Sequence, residues 1–302
     1  MTLVELLVVI SIVVLLAGMM LPRMRPAIEE RRIREAARSV NTYISAARNR
    51  AIETGRPCGV MFQAFATNVP GAMSLDQVEV PPPYGGDTTG ATATVKIDRS
   101  SFSFSANFSG ATLTNRVFPG DLIQFNYQGP FYTIDGVGAA NVSGKLDYAQ
   151  AMTATPYTMP VPFKILRRPM KAHAPMLQIP AGVVLDLECS GTDAMALANQ
   201  SFAASTSPII ITFSPSGGLD RVYFNNQAYP ATEQLFLLVG RRERVPAAQV
   251  PAGVQPNLQD QNNLWITISP QSGMVVTGNN LGGANLYEAR DLARKAQTLG
   301  GK

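Results

Sequence analysis

Apolar residues run almost unbroken over residues 6–21, interrupted only by Ser11, and residues 1–22 carry a single charged side chain, Glu5. A helix over that stretch would be about 33 Å long at 1.5 Å per residue, close to bilayer thickness, so the pattern predicts a membrane-spanning segment. From Arg23 to about Glu53 the pattern becomes amphipathic. Ile33, Ala36, Val40, Ile44, Ala47 and Ala51 recur at spacings of three and four, which is one face of a helix. Glu30 with Arg34 and Arg31 with Glu35 fall at i, i+4 on the opposite side. Gly55 followed by Pro57 ends the helix. Pro22 and Pro26 each remove a backbone hydrogen bond, so a kink or a locally melted stretch is expected there.

After residue 56 the apolar runs are short and bounded by Gly, Pro, Ser and Asn, the pattern of strands and turns. Strands are expected at 58–65, 121–127, 130–134, 161–166, 183–189, 208–213, 221–224, 234–239 and 264–269. Two segments share a strand, a Ser-Pro-x-Ser-Gly turn and a second strand: one turns through Ser214-Pro215-Ser216-Gly217-Gly218, the other through Ser269-Pro270-Gln271-Ser272-Gly273. Residues 66–120, with Pro81-Pro82-Pro83 and a Thr- and Ser-rich tract, read as a long surface excursion carrying edge strands. A short helix is expected at 285–297, with Leu286, Ala289, Leu292, Ala293 and Ala296 on one face, either clasping a neighbouring subunit or closing the domain. The fold class is therefore α+β. A long N-terminal α-helix (1–56), hydrophobic in its first half, packs on a mainly antiparallel all-β domain (57–302).

Glu5 makes the first segment specific. An ionisable group inside an apolar span costs roughly 2.5–3.5 kcal/mol on insertion scales and calls for a partner. The chain's own α-amine lies four residues away, within reach of a copy displaced by about one helical turn. The run Thr2-Leu3-Val4-Glu5-Leu6-Leu7-Val8-Val9-Ile10 resembles the mature amino terminus of type IV pilins and type II secretion pseudopilins. The resemblance implies that Glu5 is the glutamate that sets subunit register, that Met1, in place of the usual Phe, is the residue N-methylated after leader cleavage, and that Pro22 is the helix-breaking proline. The chain is then expected to be the mature, processed form. No basic region precedes the apolar run and no small-residue cleavage site follows it, so the segment is expected to be kept and not removed as a signal peptide. Ala47-Arg48-Asn49-Arg50-Ala51-Ile52-Glu53-Thr54-Gly55 and the two Ser-Pro hairpins are similar to the H-type minor pseudopilin branch.

What the resemblance implies about function is a structural subunit of an extracellular pilus-like filament. The partners are then other copies of the same chain, the inner membrane before assembly, a prepilin peptidase and an assembly platform, and minor pilins. The finished filament is a surface pilus or a periplasmic pseudopilus. The alternatives are a minor pseudopilin of a secretion system and a DNA-uptake minor pilin.

Composition adjusts this picture in three places. The chain has 302 residues, 46% of them hydrophobic and 15% charged, enough for a substantial core beyond the anchor. Its formal charge of +4 is concentrated in residues 23–56, where nine Arg and four Glu give +5, so the remainder is nearly neutral and no general polyanion affinity follows from it. Cys58 and Cys189 fit no metal-ligand spacing; they either form one disulfide or are two buried free thiols.

Candidate chemistry is sparse. The single histidine, His173, has no nucleophile or acid pattern around it, and Asp186, Glu188 and Asp193 lack the dense oxygen spacing of calcium loops. No enzyme, cofactor or metal site is expected. Two basic clusters, Arg167 and Arg168 with Lys171, and Arg241 and Arg242 with Arg244, could contact phosphate or DNA. Solvated turns are the preferred reading, because few aromatic residues interleave them.

Overall fold

The computed structural model describes residues 3–66, 69–88, 90–97, 101–107, 113–139, 141–145, 159–193, 201–225, 227–283 and 285–298. It is an α+β protein: an N-terminal helix, α1 (Leu3–Thr54), then nineteen strands among the described residues and a C-terminal helix, α2 (Leu286–Thr298). Among the described residues every strand pair is antiparallel.

Numbered in chain order, the first sheet contains β1 (Cys58–Phe62), β3 (Ser74–Glu79), β11 (Met170–Lys171), β14 (Ile209–Phe213), β15 (Leu219–Phe224) and β16 (Gln227–Pro230). Their spatial order is β11-β3-β1-β14-β15-β16, and β12 (Leu177–Gln178) also pairs with β3. A second sheet is formed by β2 (Gly71–Ala72), β13 (Val183–Thr192), β17 (Leu235–Arg241), β18 (Leu264–Ile268) and β19 (Val275–Asn279), in the order β19-β18-β17-β13-β2.

One face of α1 closes both sheets. Ile33, Ala36, Val40, Ile44, Ala47 and Ala51, the residues picked out by spacing, are all fully buried, and Ala37 joins them. They share one core with Val60 and Phe62 of β1, Ile211 and Phe213 of β14, Leu237 of β17 and Ile266 of β18. The Arg34–Glu30 pair forms on the outer side at 3.3 Å. β17 shows why a strand can be apolar throughout. Leu235, Leu237 and Val239 face α1, whereas Phe236 and Leu238 face α2 together with Trp265, Ala289 and Ala293. A sheet covered on both faces has no solvent side, so the period-two alternation disappears. Of the two roles expected for the C-terminal helix, the structure therefore assigns it the closing of this sheet.

Two expectations change here. α1 is helical from Leu3 to Thr54, through Pro22 and Pro26, so the chain is not melted at those prolines. Each proline removes one ladder bond, and the turns on either side continue the helix. The stretch 66–120 is not one surface excursion. β2 and β3 belong to the two body sheets, and the inserted unit begins after them and runs to β10. Its sheet orders as β7-β6-β10-β4-β5-β9-β8, with β4 (Thr92–Ile97), β5 (Ser101–Asn107), β6 (Leu122–Phe125), β7 (Tyr132–Thr133), β8 (Gly136–Val137), β9 (Asn141–Lys145) and β10 (Val161–Leu166). It has its own core, with Leu113, Ile123, Phe125, Ile134, Phe163 and Ile165 buried together. β10 pairs with β4 and β6, far back along the chain. Local pattern cannot reveal a pairing of that range.

Candidate assembly surface

The element that stands apart is the first half of α1. Twelve large apolar side chains from Leu3 to Leu16 are each 48–81% exposed. They occupy all sides of the helix, because consecutive residues at 100° per step leave no face without one. The one interruption by a hydroxyl is closed internally, as Ser11 Oγ donates to the Leu7 carbonyl at 2.8 Å. Glu5 lies exposed within this run. Met1 lies outside the described residues, and with it the geometry of a Glu5–amine contact. Side chains are described for residues 3–16 of the apolar run, about 21 Å of helix, and no helix among the described residues is long and apolar enough to cross a membrane.

The second half of α1 is fixed to the body at both ends. Where it first meets the body, Arg241 Nη1 pairs with Glu29 at 2.6 Å, Arg244 Nη1 pairs with Asp260 at 2.7 Å, and Arg241 Nε lies 3.6 Å from the same Asp260 carboxylate. At the far end Arg48 Nε donates to the Gly217 and Ser272 carbonyls, both at 3.0 Å. Those carbonyls belong to the two Ser-Pro-x-Ser-Gly turns, which the fold lays side by side. Leu219 N donates to the Pro270 carbonyl at 2.9 Å, and a Cβ on Gly273 would stand 1.9 Å from the Gly217 oxygen. The repeated motif thus supplies two close-packed turns under one arginine. Between these ends, Asn41 Nδ2 donates to Thr277 Oγ1 at 3.0 Å.

A buried polar joint sits on the opposite side of the β17 sheet. The β13–β17 register slips between Asp186 and Gly191, leaving a bulge in β13. Asp186 organises it by accepting from the Glu188 amide at 2.9 Å, the Cys189 amide at 3.4 Å and Asn257 Nδ2 at 3.0 Å. Ser190 Oγ accepts from Leu238 N at 3.1 Å, replacing a ladder bond that the bulge has broken. Arg290 of α2, with no exposed surface, donates to the Cys189 and Thr192 carbonyls, both at 2.6 Å. Burial pushes the Asp186 carboxyl up from 3.8 to about 6, against the hydrogen bonds that favour its charged form. Burial lowers the Arg290 guanidinium to about 10, with Asp193 opposing. These are structural joints. They tie the C-terminal helix to the sheet and present no open reacting centre.

The remaining sequence candidates are accounted for individually. Cys58 and Cys189 are both free and buried, in different core clusters, so they do not pair; the disulfide alternative is set aside. Burial raises both thiols. Lys171 pairs with Asp76 at 2.7 Å, Arg167 donates to the Pro82 carbonyl, Arg168 Nη1 donates to Pro119, and Arg242 stacks 4.8 Å from the Phe65 ring centre. With Arg241 and Arg244 in the Asp260 network and Lys171 on Asp76, neither three-residue cluster acts as a unit; Arg167 and Arg168 keep carbonyl partners and line one cleft. Glu188 accepts from the Ala247 amide at 2.7 Å and Asp193 pairs with Arg294, so the Asp186, Glu188 and Asp193 set is dispersed into separate bonds. Among the described residues no group of three or more His, Cys, Asp or Glu could hold a metal. His173 lies exposed in a loop.

Sequence reasoning missed Arg48, Asn257, Asp186 as a bulge organiser, and Arg290. Only Arg290 left a signal, since it falls four residues after Leu286 and beside Ala289 on the apolar stripe of α2. No family model, no curated protein and no solved structure matches the chain.

Proposed function

We propose that the chain is a structural subunit of a type IV pilus-like filament that polymerises through the first half of α1. The observation that carries this reading is the exposure of twelve large apolar side chains on every side of residues 3–16, on a helix whose second half is docked on a β-rich body. Left in water, each such side chain would forfeit roughly 1.5–3 kcal/mol of burial free energy, so the segment needs lipid or other helices around it. A bilayer meets that need before assembly, and a bundle of identical helices meets it afterwards. Head-to-tail contacts of this kind need not close, and they generate open helical symmetry.

Glu5 is assigned the register. In an apolar bundle its carboxylate would take the α-amine of a neighbouring Met1, a charge-assisted contact available at one axial offset. The body, with its inserted unit, would then coat the outside. The role is structural, with no catalysis proposed. A DNA-uptake role is the weaker reading, because Lys171, Arg241 and Arg244 are paired with carboxylates, and Arg167 and Arg168 line a cleft and not an exposed stripe. A pseudopilus subunit would use the same element, and the location of the filament separates the two.

The test is Glu5→Ala in cells carrying the native assembly machinery. Filaments should be lost under the electron microscope, while immunoblots find normal amounts of the chain in the membrane fraction. Abundant normal filaments in that variant would overturn the register role.

A further inference from the structure

The chain leaves the body for the inserted unit through residues 80–83 and returns through 166–168, and a cavity of about 360 Å³ lies at this junction. That is the volume of a small-molecule pocket, and such pockets favour boundaries between packed units. Its apolar wall comes from Val80, the consecutive Pro81, Pro82 and Pro83, Leu122 and Leu166. Tyr223 of β15 also lines it. Four arginines share the lining, Arg56, Arg167, Arg168 and Arg221, against one carboxylate, Asp220.

Asp121 stands behind the wall, accepting from the Phe118 and Arg168 amides at 2.8 Å each. With both carboxylates ionised, the four arginines still leave a formal charge of +2. Two of the arginines are held in position by neutral groups. Arg167 donates through Nε and Nη2 to the Pro82 carbonyl at 3.3 and 3.0 Å, and Arg168 donates through Nη1 to Pro119 at 3.1 Å. A bond to a carbonyl orients a guanidinium and leaves its charge in place. A preformed, cationic, partly apolar cleft selects an anion that also carries apolar surface.

We propose that this cleft binds a small anion with a flat apolar body, a carboxylate or phosphate ester on a ring. The arginines take the charged group and the proline–leucine wall covers the ring. The site involves no residue of the assembly helix, so it stands or falls independently of the filament reading.

The experiment is isothermal titration of the full chain in a non-ionic detergent with three probes: phenyl phosphate, benzoate and inorganic phosphate. At least one aromatic anion should bind at one site per chain with a Kd below about 1 mM. Inorganic phosphate should bind at least about tenfold more weakly, because it makes the charged contacts without the apolar ones. The double variant Arg56→Gln with Arg221→Gln should weaken aromatic-anion binding at least about tenfold, and Arg34→Gln, on the outer side of α1, should leave it unchanged. No saturable binding by either aromatic anion up to about 10 mM would overturn the proposal, as would equal binding by inorganic phosphate. Unchanged binding in the double variant would do the same. The three-probe comparison on the unaltered chain decides the question even where a variant folds poorly.

Discussion

Replacing Asp186 by Asn should change how stability depends on pH, with a sign fixed by where the carboxyl sits. In the unfolded chain this group loses its proton near 3.8, and in the fold burial holds the proton on to about 6. Between those values the folded state binds more protons than the unfolded state. Its contribution is therefore fully present below about pH 4 and is lost as pH rises through about 6. A gap of about two units at 1.36 kcal/mol each makes the loss about 3 kcal/mol. Asp121 and Asp220, also raised by burial, slope the same way, so the informative quantity is the difference between wild type and variant.

The Asn side chain cannot ionise, and its oxygen can still accept from the Glu188 and Cys189 amides. Its nitrogen, however, would face Asn257 Nδ2. Asn257 cannot turn over freely, because its oxygen already accepts from Arg241 N at 2.9 Å and Asn263 Nδ2 at 3.2 Å. That mismatch costs about 1–3 kcal/mol at every pH. Urea midpoints and slopes for both proteins in non-ionic detergent, from about pH 3.5 to 7, measure the difference. Wild type should lead by about 1–3 kcal/mol at low pH, and a change of about 3 kcal/mol toward neutrality should erase that lead or reverse it. A difference that stays constant across the range would refute the reasoning.

Deleting residues 1–27 should leave a body that folds, stays monomeric by analytical ultracentrifugation and keeps its urea midpoint, because the ion pair at Glu29 and the buried contacts from Ile33 onward remain. Loss of cooperative unfolding in that truncation would show that the exposed half supports the body. Gly273→Ala should destabilise the body by roughly 3 kcal/mol or more, since φ is +62° and the added Cβ would stand 1.9 Å from the Gly217 oxygen. A melting temperature within a degree or two of wild type would contradict the interlocked-turn geometry.

Much of the architecture is legible in the order of the residues. The spacing of three and four from Ile33 to Ala51 names the buried face of α1, and all six residues it selects are fully buried. The strands at 161–166, 209–213 and 264–268 fall within a residue of expectation, because β-branched and aromatic runs between turn residues have few other uses. The all-round apolar run at residues 3–16 is equally plain, and it is the part of the chain that the proposed function rests on.

Other features depend on which distant segments meet. Two Ser-Pro-x-Ser-Gly turns can be recognised in sequence, but nothing local says that they lie against each other under Arg48. A bulge such as the one at Asp186 is a mismatch between two strands, and neither strand records it alone. The cysteines illustrate the same division: their burial fits their apolar neighbours, whereas their separation into two cores depends on the sheet between them. The inserted unit, read as a surface excursion, is a sheet with its own core because β10 returns to pair with β4 and β6.

The amino-acid order was therefore enough for the helix, its two halves, most strands and the apolar segment with its glutamate. These follow from periodicity and hydrophobicity, which act over one or two turns of chain. The ion network at Glu29, the Arg290 joint, the separate fates of the basic residues and the cleft beneath the inserted unit came only with the folded chain. Each depends on partners brought together from far along the sequence, and so on the packing of the whole rather than on any local pattern.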